Sequence, residues 1–242
     1  MKYKRTEKYD YKWIQENWMG PHPLWLLEDL CEHLDLQPGM KVLDMGCGKG
    51  LTSVFLAKEY GVTVFANDLW ISATDNLKRF EEAGVSDKVY PIHAEAHALP
   101  YADGFFDAAI SIDSYHYYGA SESYLPSHYA KLVKPGGQFG IVIPGLTREF
   151  EKGYPSTLEK HWEAELFSFH SKDWWRHLWE KTGLVEISTC YNIHNPKEIW
   201  QPWAIWAKEH LKFNDDEFLL ADTDNELALI AMVARKLSLS DI

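Results

Sequence analysis

Cysteine is scarce. The three residues, Cys31, Cys47 and Cys190, lie far apart and form no CxxC pair. That odd, scattered set argues against a disulfide framework or a cysteine zinc site and fits a reducing, cytoplasmic setting. No apolar run reaches the roughly 18 residues of a membrane-spanning helix, so no membrane partner is expected. The opening MKYKRTEKYDYKW has no apolar stretch of the kind a signal peptide needs. Positive charge is in deficit, with 24 Lys and Arg against 36 Asp and Glu, a net charge of −12. Such a chain gains nothing from releasing phosphate counterions, so nucleic acid is not an expected partner. Internal repeats and low-complexity linkers are absent as well. Aromatic residues are plentiful: 11 Trp, 13 Tyr and 11 Phe. They serve either an aromatic core or a ligand pocket walled by rings.

From about residue 24 to 143, short apolar runs alternate with amphipathic stretches, the pattern of an α/β fold with a parallel sheet. Leu24 to Leu36 reads as a helix broken by Gln37-Pro38-Gly39. Lys41 to Met45 reads as a strand, Leu51 to Tyr60 as a helix, Val62 to Ala66 as a strand and Ala73 to Glu82 as a helix. Strands follow at Val89–His93 and Phe106–Ile112, then a helix near Glu122–Leu132. The Lys134-Pro135-Gly136-Gly137 turn leads to a fifth strand at Gln138–Ile143. Pro144 to His170 is long for a connection, the usual mark of a lid or binding loop. Ser171 is the N-cap expected of a helix through about Lys181, whose face Trp174, Trp175, Leu178 and Trp179 should pack on the sheet. A strand at Val185–Tyr191, a Trp-rich amphipathic segment at Ile199–Leu211, an acidic loop and a last strand at Leu227–Ala234 complete the chain, with Arg235 to Ile242 as a frayed tail. The expected organisation is one domain over 1–242: an N-terminal helical cap (1–37), a ligand-binding core (38–143), a lid (144–170) and the rest of the sheet (171–242).

Val42-Leu43-Asp44-Met45-Gly46-Cys47-Gly48-Lys49-Gly50 sends a strand straight into a glycine loop and then a helix. Glycines let backbone approach a ligand closely, and a helix start offers free N–H groups. The spacing is GxGxG rather than the GxGxxG of dinucleotide binders. It is no P-loop either, since Leu43 stands where the first glycine belongs and Gly50 where a hydroxyl residue would hold magnesium. Asp68 closes the second strand about 20 residues on, where a carboxylate can accept from two ribose hydroxyls. Glu95, just past the third strand, can accept from an adenine amino group while the Ala96 N–H faces a ring nitrogen. His93-Ala94-Glu95-Ala96-His97 superficially suggests a metal cluster, but neither HExxH nor the PCxxC half of a zinc deaminase is present, so no metal is expected.

VLDMGCGKG, Asp68, AEAHALPYADGFFD and LVKPGG, in that order, resemble the class I S-adenosylmethionine-dependent methyltransferases, in the branch with many small-molecule enzymes. The likeness runs over roughly residues 38 to 143. It implies a Rossmann-like seven-stranded sheet in the order 3-2-1-4-5-7-6 with strand 7 antiparallel. It implies S-adenosylmethionine as methyl donor, leaving S-adenosylhomocysteine. Gly46, Cys47, Gly48 and Gly50 would hold the amino-acid part and Asp44 would orient the loop. Asp68 would hold the ribose, Glu95 and Ala96 the adenine, and the Ile112 backbone the methionine region, with Leu69 a further cofactor contact. One departure is Glu95, where the family often has Asp.

The fourth strand ends in Ser111-Ile112-Asp113-Ser114-Tyr115-His116-Tyr117-Tyr118, at the rim that faces donor and acceptor in such folds. Asp113 and His116 are the candidate catalytic groups, orienting the acceptor or taking its proton. Tyr115 and Tyr117 are candidate walls, and Trp18, in the Trp18-Met19-Gly20-Pro21-His22-Pro23 segment, a further ligand contact. Arg148, His161, Trp162, Phe167 and His170 are the long connection's candidates. The segment lacks the Asn/Asp-Pro-Pro-Tyr/Phe of many enzymes that methylate bases or glutamine. A small-molecule acceptor is therefore the leading expectation. A methyltransferase acting on RNA or protein and a non-catalytic binder of the donor are the competing ones. The sequence leaves the oligomeric state open.

Overall fold

A computed structural model describes residues 3–238. The sheet has seven strands in the order β3-β2-β1-β4-β5-β7-β6. The first four are β1 (Lys41–Met45), β2 (Thr63–Asp68), β3 (Val89–His93) and β4 (Phe106–Ile112). They are short and parallel; β1, β2 and β4 are mostly buried, as strands covered on both faces should be, while β3 at the sheet edge is part-exposed. β5 (Val133–Leu146) runs parallel to β4, and β7 (Leu227–Lys236) inserts antiparallel between β5 and β6 (Val185–Asn192). This is the architecture the resemblance implied, strand 7 included.

Helices cover both faces. On one lie α1 (Tyr11–Asn17), α2 (Pro23–Cys31), α3 (Leu51–Tyr60), α7 (Pro196–Leu211) and α8 (Asp215–Ala221), with Leu24, Leu27, Phe55, Trp203 and Phe218 in a shared core. On the other, α5 (Ala130–Leu132) and α6 (Lys172–Glu180) enclose a second core of Tyr115, Tyr124, Tyr129, Trp175 and Trp179. α4 (Ala73–Glu82) sits against β3. Much of the aromatic excess is thus structural.

Several expectations need adjusting. The Lys134–Gly137 turn exists as a large bulge inside β5: Phe106 pairs with Val133 and Ala108 with Gln138, so Asp107 alone stands opposite residues 134–137. Instead of one regular helix before β5, a π-turn at Leu125–Tyr129 runs into the short α5. The expected acidic loop is the helix α8, whose Asp215, Asp216 and Glu217 occupy the first turn, where negative charge suits the helix dipole. The first helix of the core ends at Cys31, five residues short of Leu36. β5 and β7 exceed their expected ends, and β7 takes in Arg235 and Lys236 from the supposed tail. Its last residues, 239–242, lie outside the described residues. Ser171 does cap α6, accepting from the Trp174 N–H; Trp175, Leu178 and Trp179 are buried, and Trp174 is half-buried against the same core and also stacks on His170 at 3.8 Å.

Candidate functional site

The carboxyl ends of β1, β2, β3 and β4 form one rim, and a cavity of about 270 Å³ opens there. Its walls are the glycine loop after β1, residues 67–70 after β2, residues 94–97 after β3, the Ile112–Ser114 stretch with Tyr117 and Tyr118, and the segment from Asn17 to Pro23. Four strand ends thus deliver chemically distinct groups to one place, as open α/β sheets do where strand order reverses.

The glycine loop is shaped by backbone geometry that side chains resist. Gly46, Gly48 and Gly50 all have positive φ. A Cβ on Gly46 would lie 1.9 Å from Ser114 Oγ, and one on Gly50 would lie 2.3 Å from the Phe80 ring. The Gly46 and Cys47 N–H groups both donate to Asn67 O, at 2.8 and 3.0 Å. Behind the loop, the buried Asp44 accepts from Thr52 Oγ1 and Ser53 Oγ, each at 2.6 Å, which ties the end of β1 to the start of α3. Burial raises the Asp44 carboxyl to about 6, opposed by those two hydroxyls. α3 itself has no side-chain cap, so its first N–H groups point at the cavity end of the loop without a side-chain partner.

Asp68 organises the next wall. One oxygen accepts from the Trp70 and Ile71 N–H groups at 2.8 and 2.9 Å, and the other from the Gly48 N–H at 2.8 Å. The carboxylate therefore fixes its own turn and the glycine loop together, and its second oxygen retains accepting capacity. Leu69 lines the cavity beside it, and its carbonyl receives His93 Nε2 at 2.8 Å. Glu95 also lines the cavity, but its carboxylate folds back on the His97 N–H and Nδ1, at 2.9 and 2.7 Å. Those bonds from His97 hold it below the usual carboxylate range. His93 and His97 are thus committed to different partners. The Ala96 N–H has no partner among the described residues.

The fourth wall departs most from expectation. Asp113 adopts φ +53, and its N–H donates to Val142 O at 2.7 Å. Its carboxylate meets the cavity and lies against Gly20, where an added Cβ would fall 1.9 Å from Oδ2. Burial, with the Asp215 charge adding to it, pushes this carboxyl up to about 8. Tyr117 lines the mouth and meets Trp70 edge to face at 5.5 Å. Tyr118, which nothing in the local sequence singles out, also faces the cavity and bonds Ser111 Oγ at 3.1 Å.

Two expected residues are elsewhere. Tyr115 is fully buried in the second core, ringed by Tyr124, Tyr129, Trp175 and Trp179. His116 is buried between Tyr117 and Phe169, off the cavity wall. Burial lowers its imidazole to about 3, so it stays neutral. The cause is local: the left-handed Asp113 and the 3-10 turn Tyr115–Tyr117 end the two-residue alternation on which a strand-end reading depends.

Trp18 does line the cavity, and its indole is wedged edge-on among Trp203, Trp206 and His22. Burial lowers His22, at the start of α2, to about 4. Met19, Gly20 and Pro21 join Trp18 on the wall, so the N-terminal segment is a structural part of the site. None of the candidates from the long connection lines the cavity: Arg148 pairs with Glu226, His170 with Glu149, and Trp162 packs on Phe169.

Residues 42–137 match the family described as "Methyltransferase domain". The chain is 33% identical over 117 residues to Methyltransferase GfsG of Streptomyces halstedii, a span covering 48% of this chain and 42% of that one. It is 29% identical over 176 residues to Sterol 4-C-methyltransferase strm-1 of Caenorhabditis elegans, covering 71% of this chain and 47% of that one. The chain therefore spans less than half the length of these curated relatives. Among solved structures, phosphoethanolamine N-methyltransferase 2 of Haemonchus contortus, in complex with S-adenosyl-L-methionine, superposes with a TM-score of 0.74 at 19% identity, over 94% of this chain and 56% of that one. At that identity the likeness establishes the fold.

Proposed function

We propose, from the premise that the chain belongs to the class I S-adenosylmethionine-dependent methyltransferases, that it transfers a methyl group to a small-molecule acceptor held in this cavity. One observation carries the reading: Asp68 grips the glycine loop through the Gly48 N–H, while a separate carboxylate, Asp113, unpaired among the described residues, stands on the wall of the same cavity. Donor-holding and acceptor-facing groups thus share one chamber.

The residues present fit the donor. The uncapped start of α3 and the glycine loop suit its carboxylate. The remaining capacity of Asp68 suits its ribose hydroxyls, and the unpartnered Ala96 N–H suits an adenine ring nitrogen. Cys47, Leu69, Glu95 and Ile112 close the walls around it. When bound, S-adenosylmethionine supplies a methyl carbon on a sulfonium, already activated toward attack. The protein's part is then to position the acceptor and exclude water, which can supply ~7–11 kcal/mol of such a barrier. Asp113 orients the acceptor and takes a proton from it where one must leave; Tyr117 and Trp18 wall it. His116 serves by packing behind Tyr117. The acidic balance and the cavity's volume of about 270 Å³ favour a small acceptor over nucleic acid. Among the described residues no helix is long and apolar enough to cross a membrane.

Calorimetric titration with S-adenosylmethionine and S-adenosylhomocysteine tests the first half: saturable one-to-one uptake of both is expected, and uptake of neither would overturn the proposal. Methyl-labelled donor incubated with a metabolite extract tests the second, with label expected in a small product.

Gly20→Ala adds an independent check on Asp113. The new methyl group collides with Oδ2 and must displace the carboxylate. Because misplacement by about 1 Å can cost about 100-fold, turnover should fall by roughly that factor while S-adenosylhomocysteine affinity changes little. Equal turnover in mutant and wild type would remove Asp113 from the acceptor site.

A further inference from the structure

We infer that the acceptor arrives as a cation: the Asp113 carboxylate, in one cavity with the rings of Trp70, Tyr117 and Trp18, is a seat for an ammonium group. The inference rests on the methyltransferase reading and names the substrate class for it.

The first ground is a buried carboxyl group with no partner, which ionises at neutral pH only when a cation pairs with it. Among the described residues no side-chain or backbone donor reaches the Asp113 carboxylate, which lies against Gly20, a residue with no side chain to offer it. A carboxylate left without a partner is costly unless a ligand completes it. The charges that act on the neighbouring Tyr117 phenol are negative. Asp215, on α8, and Glu165, in the 3-10 turn Ala164–Ser168, act electrostatically on the same mouth, since both raise the Tyr117 phenol along with Asp113. Asp215 is held by Trp200 Nε1 and Trp203 Nε1, each at 3.2 Å, so indoles rather than a cation satisfy it. Trp203 in turn packs edge-on against Trp18. The cavity's one lysine, Lys49, is engaged at the glycine loop with Glu16 O.

The second ground is the aromatic mouth. Trp70 and Tyr117 are 66% and 54% exposed and meet each other on the cavity wall, which leaves ring surface there open to a ligand. Ring faces attract ammonium groups, and more strongly once water is displaced. A phosphate, carboxylate or phenolate acceptor would meet repulsion from the ionised Asp113 and from the acids behind it. An ammonium meets attraction from both the carboxylate and the rings. For a protonated amine the carboxylate also acts as the base. The N–H bond breaks, an O–H bond forms on Asp113, and the electron pair stays on nitrogen, free to attack.

The test uses choline, whose nitrogen has no lone pair to methylate and therefore reports recognition alone, against its neutral isostere 3,3-dimethyl-1-butanol. Each is titrated calorimetrically into protein saturated with S-adenosylhomocysteine. Choline should bind roughly tenfold or more tightly than the isostere. The preference should collapse in Asp113→Asn, with S-adenosylhomocysteine affinity retained, and shrink in Tyr117→Leu, a change at an exposed position. Equal binding of the two probes, no choline binding, or a preference that survives both substitutions would overturn the cation seat. If S-adenosylhomocysteine itself fails to bind, it is the methyltransferase reading that falls.

Discussion

Asp68→Ala should weaken S-adenosylhomocysteine binding by roughly 10–150-fold, the equivalent of about 1.5–3 kcal/mol for hydrogen bonds to a charged group. The residue has two roles, and both point the same way. Its second oxygen is the acceptor proposed for the ribose hydroxyls. Its three backbone bonds, from Gly48, Trp70 and Ile71, hold two walls of the cavity in register. Removing the carboxylate takes away the ligand contact and loosens the loop meant to receive the donor's amino-acid end, so the upper part of that range is expected. Asp68→Asn separates the effects. Its carbonyl oxygen can still accept from Trp70 and Ile71, while its amide NH2 faces the Gly48 N–H, donor against donor. Binding should be intermediate, with a melting temperature closer to wild type than that of the alanine variant. Calorimetry and thermal melts on the same samples check this. Wild-type affinity in both variants would move the donor away from β2.

Much of this site was legible because it depends on local chemistry. Gly46 to Gly50 and Asp68 are dictated by backbone conformation and strand position, which leave a mark in adjacent residues. β1, α3, α4, β3 and β4 match the expected bounds because apolar runs there are closed by glycine or polar breakers. The misses share another cause: tertiary contact or a single unusual dihedral. Tyr115 and Tyr117 are two apart and would share a face of a continuing strand, but the left-handed Asp113 ends the strand and sends one ring to the core and the other to solvent. α8 was hidden by its acidic start, which reads as a solvated loop until Phe218 and Leu219 are seen buried. Asp215 was invisible because what gives it meaning, the indoles of Trp200 and Trp203, lies on another helix. The contact of Gly20 with Asp113 joins segments more than 90 residues apart, and no spacing rule reports it.

Asp113→Asn should lower turnover by about 100- to 10,000-fold, the usual contribution of a positioned acid–base group, while donor affinity is held. Its pH dependence is the sharper signature. With the carboxyl raised to about 8 by burial and Asp215, Asp113 of the free wild-type protein is largely protonated at neutral pH. A group that must accept a proton works only when ionised, so kcat/KM should climb with pH and level off above about 8. The asparagine variant should lack that limb. Stability should run the opposite way. An unfolded Asp ionises near ~3.9, so between that value and about 8 the folded state holds a proton that the unfolded state has lost. Stability therefore falls as pH rises through this window. Wild type should lose melting temperature relative to Asp113→Asn from pH 5 to pH 8, because asparagine has no charge to bury. Choline at saturation should shrink the gap by pairing with the ionised carboxylate. Parallel melting profiles would mean that Asp113 is solvated like a surface acid, and the proton-accepting role would go with it.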